Sequence, residues 1–234
     1  MTDPSLQALA RIAWLSLTGP QAALSVGSAD ARRYAIGFSP IMAFADTARP
    51  NLAALAPFCE PGEHLYTAGW SGPAPAGWQI HAEATLVQMV WDRPAPAPDV
   101  ASDTDPPALR LGPEHVPQML ELVALTKPGP FGPRTIELGE YFGIFEGQRL
   151  VAMAGERMFA DALREISGVC THPEFQGRGL ARRLMLGLLR REMARGETPF
   201  LHVMRDNRTA RGVYQRMGFK DHQEQAIRVV SRSA

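Results

Sequence analysis

The feature that most constrains the fold is residues 164–204, where a strand, a glycine-rich loop, a long helix and a second strand follow one another. The loop reads FQGRGLA at residues 175–181. The leucines on one face of the predicted helix are Leu180, Leu184, Leu188 and Leu189. A helix with one apolar face packs on a sheet. The order strand, helix, strand therefore predicts a parallel, right-handed crossover.

The same order continues on both sides of this unit. Strands are predicted at 108–111, 141–146, 149–158, 164–171, 199–204 and about 224–230, and helices at 113–125, 177–195 and 207–217. The strands at 141–171 are close enough in sequence to form an antiparallel meander. Together the elements predict an α/β (α+β) fold with a mixed, mostly antiparallel sheet and helices on both faces.

A proline-rich segment, DRPAPAPDVASDTDPP at residues 92–107, divides the chain. Its five prolines and few apolar side chains predict an exposed, semi-extended linker. Residues 108–234 then form the main domain, and residues 1–91 form a smaller N-terminal α/β lobe. In that lobe helices are predicted at 4–17 and 50–57 and strands at 22–26, 64–69 and 78–91. It carries no motif with a chemical meaning, and we expect it to cover or shape a substrate site.

Composition restricts the function classes. The chain is 45% hydrophobic and 21% charged with zero net charge, so neither nucleic acid nor an anionic membrane is an indicated partner. Cys59 and Cys170 are far apart and lack a metal or redox pattern. No signal peptide or apolar run of membrane length is evident, which predicts a cytoplasmic protein. Residues 178–220 hold 11 basic and 3 acidic side chains, which suits either a phosphate-bearing ligand or a solvated arginine-rich face.

The loop before the long helix is suited to an anion. The first-turn amides of a helix lack partners and carry partial positive charge, and Gly177 and Gly179 leave them accessible. A P-loop would need a Gly-Lys-Ser/Thr ending, which is absent. A dinucleotide fingerprint would need a third glycine where Arg182 stands. The pattern Gln-x-x-Gly-x-Ala fits a third class.

Residues 165–219 resemble the GNAT superfamily of acyl-CoA-dependent N-acetyltransferases. The resemblance lies in EISGVCTHPEFQGRGLARRLM, then FLHV, then DNRTARGVYQRMGF, in the family's order and spacing. Residues matching its pyrophosphate loop are Gln176, Gly177, Arg178, Gly179, Leu180 and Ala181, followed by Arg182. Residues matching its second signature are Asn207, Ala210, Tyr214, Gly218 and Phe219. The N-terminal lobe could be a degenerate copy of the same fold without this loop.

The resemblance implies a site. Strand 165–171 should diverge from strand 199–204 and open a slot for the pantetheine arm of acetyl-CoA, with Gly168 marking a bulge. Residues expected to pair with that arm are Val169, Cys170 and Thr171, and the Val169 or Cys170 amide could polarise the thioester carbonyl. Asn207 is expected to cap its helix and contact the cosubstrate. Tyr214 is expected to protonate the departing thiolate.

The sequence offers three candidates for the group that deprotonates the amine. Glu165 aligns with the catalytic glutamate of histone-acetylating relatives, Glu156 is a second candidate, and bound water is a third. His172 could line the slot or have no role, and His202, on the opposite arm of the slot, could face either the core or the slot. Loop 127–133 is expected at the acceptor rim, where nearby glutamates (Glu137, Glu140 and Glu156) would favour a cationic amine.

The resulting hypothesis is an enzyme that moves an acetyl group from acetyl-CoA to a primary amine by direct attack, without a metal. The acceptor is a small-molecule amine or a peptide amine, and its identity and the oligomeric state are left open. The alternative is a non-catalytic acyl-CoA-binding or regulatory module, which would need the glycine loop but neither Tyr214 nor a carboxylate.

Overall fold

The computed structural model describes residues 4–97 and 106–233, with only the backbone of residues 4 and 5. Its helices are α1 (Pro4–Gln7), α2 (Ile12–Thr18), α3 (Leu52–Leu55), α4 (Val116–Thr126), α5 (Leu180–Ala194) and α6 (Arg208–Met217). Its strands are β1 (Ser25–Gly27), β2 (Ala31–Tyr34), β3 (Met42–Phe44), β4 (Leu65–Ala68), β5 (Trp78–Trp91), β6 (Ala108–Arg110), β7 (Tyr141–Glu146), β8 (Arg149–Ala160), β9 (Leu163–Thr171), β10 (Thr198–Met204) and β11 (Phe219–Arg232).

Eight of these strands form one sheet, in the order β4-β11-β5-β10-β9-β8-β7-β6, and β1-β2-β3 form a small second sheet. Within the described residues, β9 and β10 are the one parallel pair of the large sheet. The predicted parallel pairing of these strands and the mixed, mostly antiparallel sheet are therefore confirmed.

The N-terminal segment contributes to the large sheet. The long strand β5 lies between β10 and β11, and β4 is the edge strand beyond β11. The pairing of β5 with β11 runs from Phe219↔Trp91 to Arg232↔Trp78. A division into lobe and main domain stays a prediction, and the sheet common to both segments argues against it.

Helices cover both faces of the sheet, as predicted. On one face α5 buries Leu184 and Leu188 against β-strand side chains such as Ile144 and Leu201. On the other face α4 buries Met119 near Cys170, and the segment around α2 packs Leu17 near Phe200. Burial of aliphatic side chains on both faces is the main stabilising contribution in such a layered fold.

Several elements begin, end or bend differently from the sequence prediction. The helix expected from 177 begins at Leu180, because Gly177 and Gly179 adopt left-handed φ values of 78° and 75°. The helix expected at 4–17 contains a 3₁₀ turn at Ala8–Arg11. The last strand starts at Phe219 rather than near 224. The short strands β2 and β3 were not predicted.

The proline-rich segment is described only in part, since residues 98–105 lie outside the described residues. Residues 92–97 and 106–107 have no helix or strand. Arg190 donates a hydrogen bond to the Ala97 carbonyl over 2.9 Å, and Arg183 donates to the Pro106 carbonyl. Both described ends of the segment therefore lie against α5.

Candidate active site

The central feature is a slot between β9 and β10. Their parallel pairing starts at Thr198↔Leu163 and ends at Phe200↔Glu165. Beyond that point the strands separate, and both line a cavity of about 980 Å³. The predicted divergence of these strands is confirmed. Residues on both faces of the sheet line this cavity, so the gap between the strands connects the two faces.

A bulge shapes the β9 side of the slot. The register with β8 shifts between Met153↔Cys170 and Gly155↔Ser167, which leaves one extra residue on β9. Gly168 lies in this bulge with a φ of 62°, and a Cβ there would be 3.1 Å from the ring of Tyr141. The bulge predicted at Gly168 is confirmed. The neighbouring Val169, Cys170 and Thr171 line the cavity.

The glycine loop forms the outer end of the cavity. Gly179 is the residue before α5, and no side chain caps the helix, so its first-turn amides are free of a side-chain partner. A Cβ added at Gly177 or Gly179 would meet no atom within 4 Å. The predicted residues that line the cavity here are Gln176, Gly177, Gly179, Leu180, Ala181 and Arg182. Arg178 does not line it and stacks over the Phe175 ring at 4.7 Å instead.

Helix α6 brings the second signature to the slot. Asn207 caps the helix, its Oδ1 accepting a hydrogen bond from the Ala210 amide over 3.1 Å, and it lines the cavity. Tyr214 is half-buried, also lines the cavity, and packs edge-on against Phe219. Burial, with a smaller contribution from Cys170, raises the pKa of Tyr214 to about 12. Its hydroxyl is therefore protonated at neutral pH and able to donate.

Cys170 is not suited to nucleophilic catalysis. The side chain is 7% exposed, and burial raises the pKa of its thiol to about 11. A thiol in this state is a weak nucleophile because only the thiolate attacks readily. This agrees with a role for the main chain at Cys170 rather than for its sulfur.

Glu165 is buried at the point where the strands part, and it does not line the cavity. Its carboxylate accepts hydrogen bonds from Arg157 at 2.6 and 3.0 Å and from the Met158 amide at 3.2 Å. Burial by itself would raise the pKa of Glu165, but Arg157 and His202 outweigh it and lower the pKa to about 2. Glu165 is therefore a fixed anion at neutral pH.

His202 lies on the opposite arm of the slot and does line the cavity. Its Nδ1 is 2.7 Å from Glu165 Oε1, and its Nε2 is 2.9 Å from Gln88 Nε2. The Gln88 amide nitrogen also donates to the Leu9 carbonyl over 2.9 Å. Because that nitrogen can only donate, these bonds assign the histidine proton to Nδ1 and a lone pair to Nε2.

The sequence left the direction of His202 open, and its hydrogen-bond partners explain why. Gln88 is on β5, more than one hundred residues earlier in the chain, and reaches His202 through the pairing His202↔Gln88. The FLHV motif carries no local signal for such a partner. The structure also answers the question of whether His172 lines the slot. His172 lies outside the cavity lining and contacts Arg149 at 2.5 Å.

The three glutamates expected near the acceptor do not line the cavity, so that expectation was wrong. Glu156 is 3% exposed and accepts a hydrogen bond from Arg195 over 2.6 Å. Glu140 is also close to Arg195, and Glu137 pairs with Arg134. Arginine partners therefore neutralise all three. Loop residues 127–130 do reach the cavity rim, as expected.

The N-terminal segment lines the remainder of the cavity, through residues of α2, β3, β4 and β5. Among the described residues, no cluster of three or more His, Cys, Asp or Glu side chains is placed to hold a metal ion. In the same part of the chain, no helix is both long and apolar enough to cross a membrane.

The chain is similar to known proteins over most of its length. The family model described as FR47-like protein matches residues 141–229. No curated protein sequence matches the chain. A crystal structure from Novosphingobium aromaticivorans, assigned to the GNAT family of acetyltransferases, is 36% identical with a TM-score of 0.87, covering 97% of this chain and 99% of that one.

More distant structures share the fold. A GCN5-related N-acetyltransferase from Kribbella flavida is 16% identical with a TM-score of 0.59, and the match covers 96% of both chains. A Staphylococcus epidermidis protein of unknown function is 14% identical with a TM-score of 0.55, covering 89% of this chain and 93% of that one. The identity and full-length coverage of the Novosphingobium match, together with the divided strands and the glycine loop, show that this chain belongs to the GNAT family of acetyltransferases.

Proposed function

We propose that the protein transfers the acetyl group of acetyl-CoA to a primary amine by direct attack. The observation that carries the proposal is the continuous cavity, which joins the glycine loop, the gap between β9 and β10 and a chamber on the other face of the sheet. A donor bound from the loop side and an acceptor bound from the chamber side would meet in the gap.

The loop fits the donor. The free amides at the start of α5 and the open space above Gly177 and Gly179 are suited to a pyrophosphate. The pantetheine arm would lie along residues 169–171, whose neighbouring strand β10 has turned away. The Val169 or Cys170 amide would polarise the thioester carbonyl, and Asn207 and Arg182 would contact the cosubstrate from the rim.

His202 is the group we assign to deprotonate the amine. Its Nε2 lone pair accepts a bond from Gln88, an uncharged amide that an incoming ammonium can replace as a stronger donor. Glu165 then acts as a positioning residue: it holds Nδ1–H and stabilises the imidazolium once a proton arrives. This assignment retains the glutamate predicted from the sequence but moves the contact with substrate to the histidine.

The remaining steps transfer the acetyl group and remove two protons from the amine. The substrate ammonium gives one proton to His202, which later releases it to solvent, and the neutral amine forms a bond to the thioester carbonyl carbon. As the carbon–sulfur bond breaks, Tyr214 donates its proton to the sulfur. The second amine proton returns through solvent to the Tyr214 phenolate. Amide, free coenzyme thiol and one proton are the products.

The direct test is thiol release by the purified protein with acetyl-CoA and a panel of primary amines, with acetyl-CoA binding measured separately by calorimetry. The proposal expects amine-dependent thiol release and an acetylated amine by mass spectrometry. Binding of acetyl-CoA without release for any amine would overturn it in favour of a binding module. Release with alcohols but not with amines would equally contradict it.

A further inference from the structure

The acceptor side of the cavity continues along one face of the sheet. Cross-strand pairs on adjacent antiparallel strands share a face, so the register defines rows of neighbouring side chains. Beyond the row of His202, Gln88 and Gln223, the successive rows are Met204, Leu86 and Gln225, then Ala84, Ile227 and Ala68, then Ala82, Val229 and Tyr66. All members of these three outer rows line the cavity. We call these three rows the trough.

The trough is apolar. Three of its nine side chains are alanines, Ala68 on β4 and Ala82 and Ala84 on β5, on either side of the central strand β11, and their small size leaves space above the strands. Its one amide, Gln225, is engaged by the Ala10 carbonyl over 2.7 Å. The remaining members are aliphatic or aromatic apart from the Tyr66 hydroxyl.

The N-terminal segment covers the trough. The start of α2 contributes Ile12, Ala13 and Trp14 to the cavity lining, and β3 contributes Met42 and Phe44. Trp14 is half-buried. A bound group would therefore lie between an apolar floor of strands and an apolar cover, an arrangement typical of small-molecule sites.

The charges around the chamber do not suit a polycation. Among the described residues that line the cavity, Glu83 is the only acidic one. Its carboxylate is held by Arg228, with nitrogen–oxygen distances of 2.6 and 2.7 Å. Basic side chains at the lining include the exposed Arg11 and Lys127. A second ammonium group would find no free carboxylate there and would be repelled.

From this trough we infer the class of acceptor: a monoamine whose amino group is attached to an alkyl or arylalkyl body at least as large as a phenyl ring. The amine would lie beside His202 in the gap, and the apolar body would extend over Ala84 and Ile227. This inference rests on the proposed function, since it assigns the acceptor of the same reaction.

A series of amines tests the inference. With wild-type protein, kcat/KM should rise about fourfold for each added methylene from ethylamine through butylamine to hexylamine, the increment expected for burying one methylene. Hexylamine and 2-phenylethylamine should exceed putrescine and spermidine by at least about a hundredfold. A higher kcat/KM for either polyamine than for hexylamine would overturn the inference while leaving amine acetylation established. No acetylation of any amine would contradict the proposed function itself.

Two substitutions in β5 test whether the trough face of this strand determines the preference for long amines. Ala84→Leu fills the middle row, and we expect the ratio of kcat/KM for hexylamine over ethylamine to fall at least about tenfold. Thr85→Leu is the matched control, because residue 85 points to the opposite face and does not line the cavity. It should keep the wild-type ratio. Thermal unfolding and acetyl-CoA binding establish that both variants are folded. An unchanged ratio in folded Ala84→Leu would overturn the inference.

Discussion

The two halves of the cavity differ in which parts of the chain form them. The donor half, where we propose that acetyl-CoA binds, is built from one continuous stretch, β9 to α6, in which special backbone positions such as Gly168 and Gly179 shape the site. The acceptor half, where we propose that the amine binds, is assembled from strands β4, β5 and β11 and from α2 and β3, which are far apart in sequence. The donor half presents backbone amides to a ligand, whereas the acceptor half presents apolar side chains.

This difference predicts that binding of acetyl-CoA and preference among acceptors can change independently of each other. A backbone cradle depends on φ angles and strand divergence, and few sequences satisfy it. Once the register of the strands is set, the shape of an apolar trough depends on side-chain volume, and one substitution at an alanine such as Ala84 can change it. Changes in the donor half should therefore affect every acceptor equally, and changes in the acceptor half should affect the ratio between acceptors.

The largest effect is expected for Tyr214→Phe. Loss of the proton donor should lower kcat by about 10³-fold for every amine, within the range of general acid catalysis. The KM for acetyl-CoA should change little, because the ring still packs against Phe219. Steady-state thiol release with hexylamine and ethylamine measures both values. A loss confined to one of the two amines would contradict the placement of Tyr214 in the donor half.

The junction of the halves is tested by His202→Asn. The asparagine amide can still donate to Glu165, but its carbonyl oxygen is far too weak a base to take a proton from an ammonium group, so kcat/KM should fall about 10²-fold. The KM for acetyl-CoA should change little, since His202 lies on the β10 arm of the slot, away from the glycine loop. His64→Asn, a control at an exposed histidine outside the cavity lining, should keep the wild-type kcat/KM. A wild-type kcat/KM in folded His202→Asn would exclude His202 as the acceptor of the proton.

A smaller effect is expected at the glycine loop. In Gly179→Ala the backbone of the new alanine must keep a φ near 75°. This conformation costs an alanine about 1 kcal/mol, and we expect the loop amides to shift. The KM for acetyl-CoA should rise about 5-fold to 10-fold, with the hexylamine to ethylamine ratio unchanged. Gly187→Ala, inside α5 and with open space at its Cβ, is the matched control and should keep the wild-type KM. An altered amine ratio in Gly179→Ala would show that the halves are not independent.

The smallest effect on activity is expected at Glu192, which lies outside both halves. Its side chain is buried in α5 without a hydrogen-bond partner, and burial, with further repulsion from Glu156, raises its pKa well above the usual value. The unfolded chain releases this proton at lower pH than the folded chain, so stability decreases as the pH rises above about 4.3.

Glu192→Met removes this penalty and should increase the free energy of unfolding by about 1–3 kcal/mol at pH 7. The gain should shrink towards pH 4, where the glutamate is protonated in both states. Denaturant titrations at the two pH values measure the difference, and activity should remain at the wild-type level. A gain that is the same at both pH values would show that the carboxyl is not responsible.

The sequence predicted the bulge at Gly168, the divergence of β9 from β10 and the cap of α6 because their signals are local. Glycines between a strand and an amphipathic helix, an asparagine cap at residue 207 and the spacing to Tyr214 can each be read within a short window. The bounds of β5 were also predicted, from its β-branched and aromatic residues. Its position between β10 and β11 was not, since strand pairing depends on contacts between distant residues.

The acceptor half was missed for the same physical reason. Alanines at 68, 82 and 84 give no chemical signal, and they define a trough only once the register brings them together. Glu140 and Glu156 looked like ammonium ligands because their partner Arg195 comes from a distant part of the chain. The Gln88 contact that fixes the orientation of His202 is likewise set by strand pairing.

The most direct test of the two-half account is a crystal structure with a bisubstrate analogue in which hexylamine is joined through an acetyl group to the sulfur of coenzyme A. We expect the pyrophosphate at the amides of residues 177–181, the pantetheine arm between β9 and β10, and the hexyl chain over Ala84 and Ile227 on the α2 face. A hexyl chain that leaves the slot on the α5 face, or a pyrophosphate bound away from the glycine loop, would contradict it.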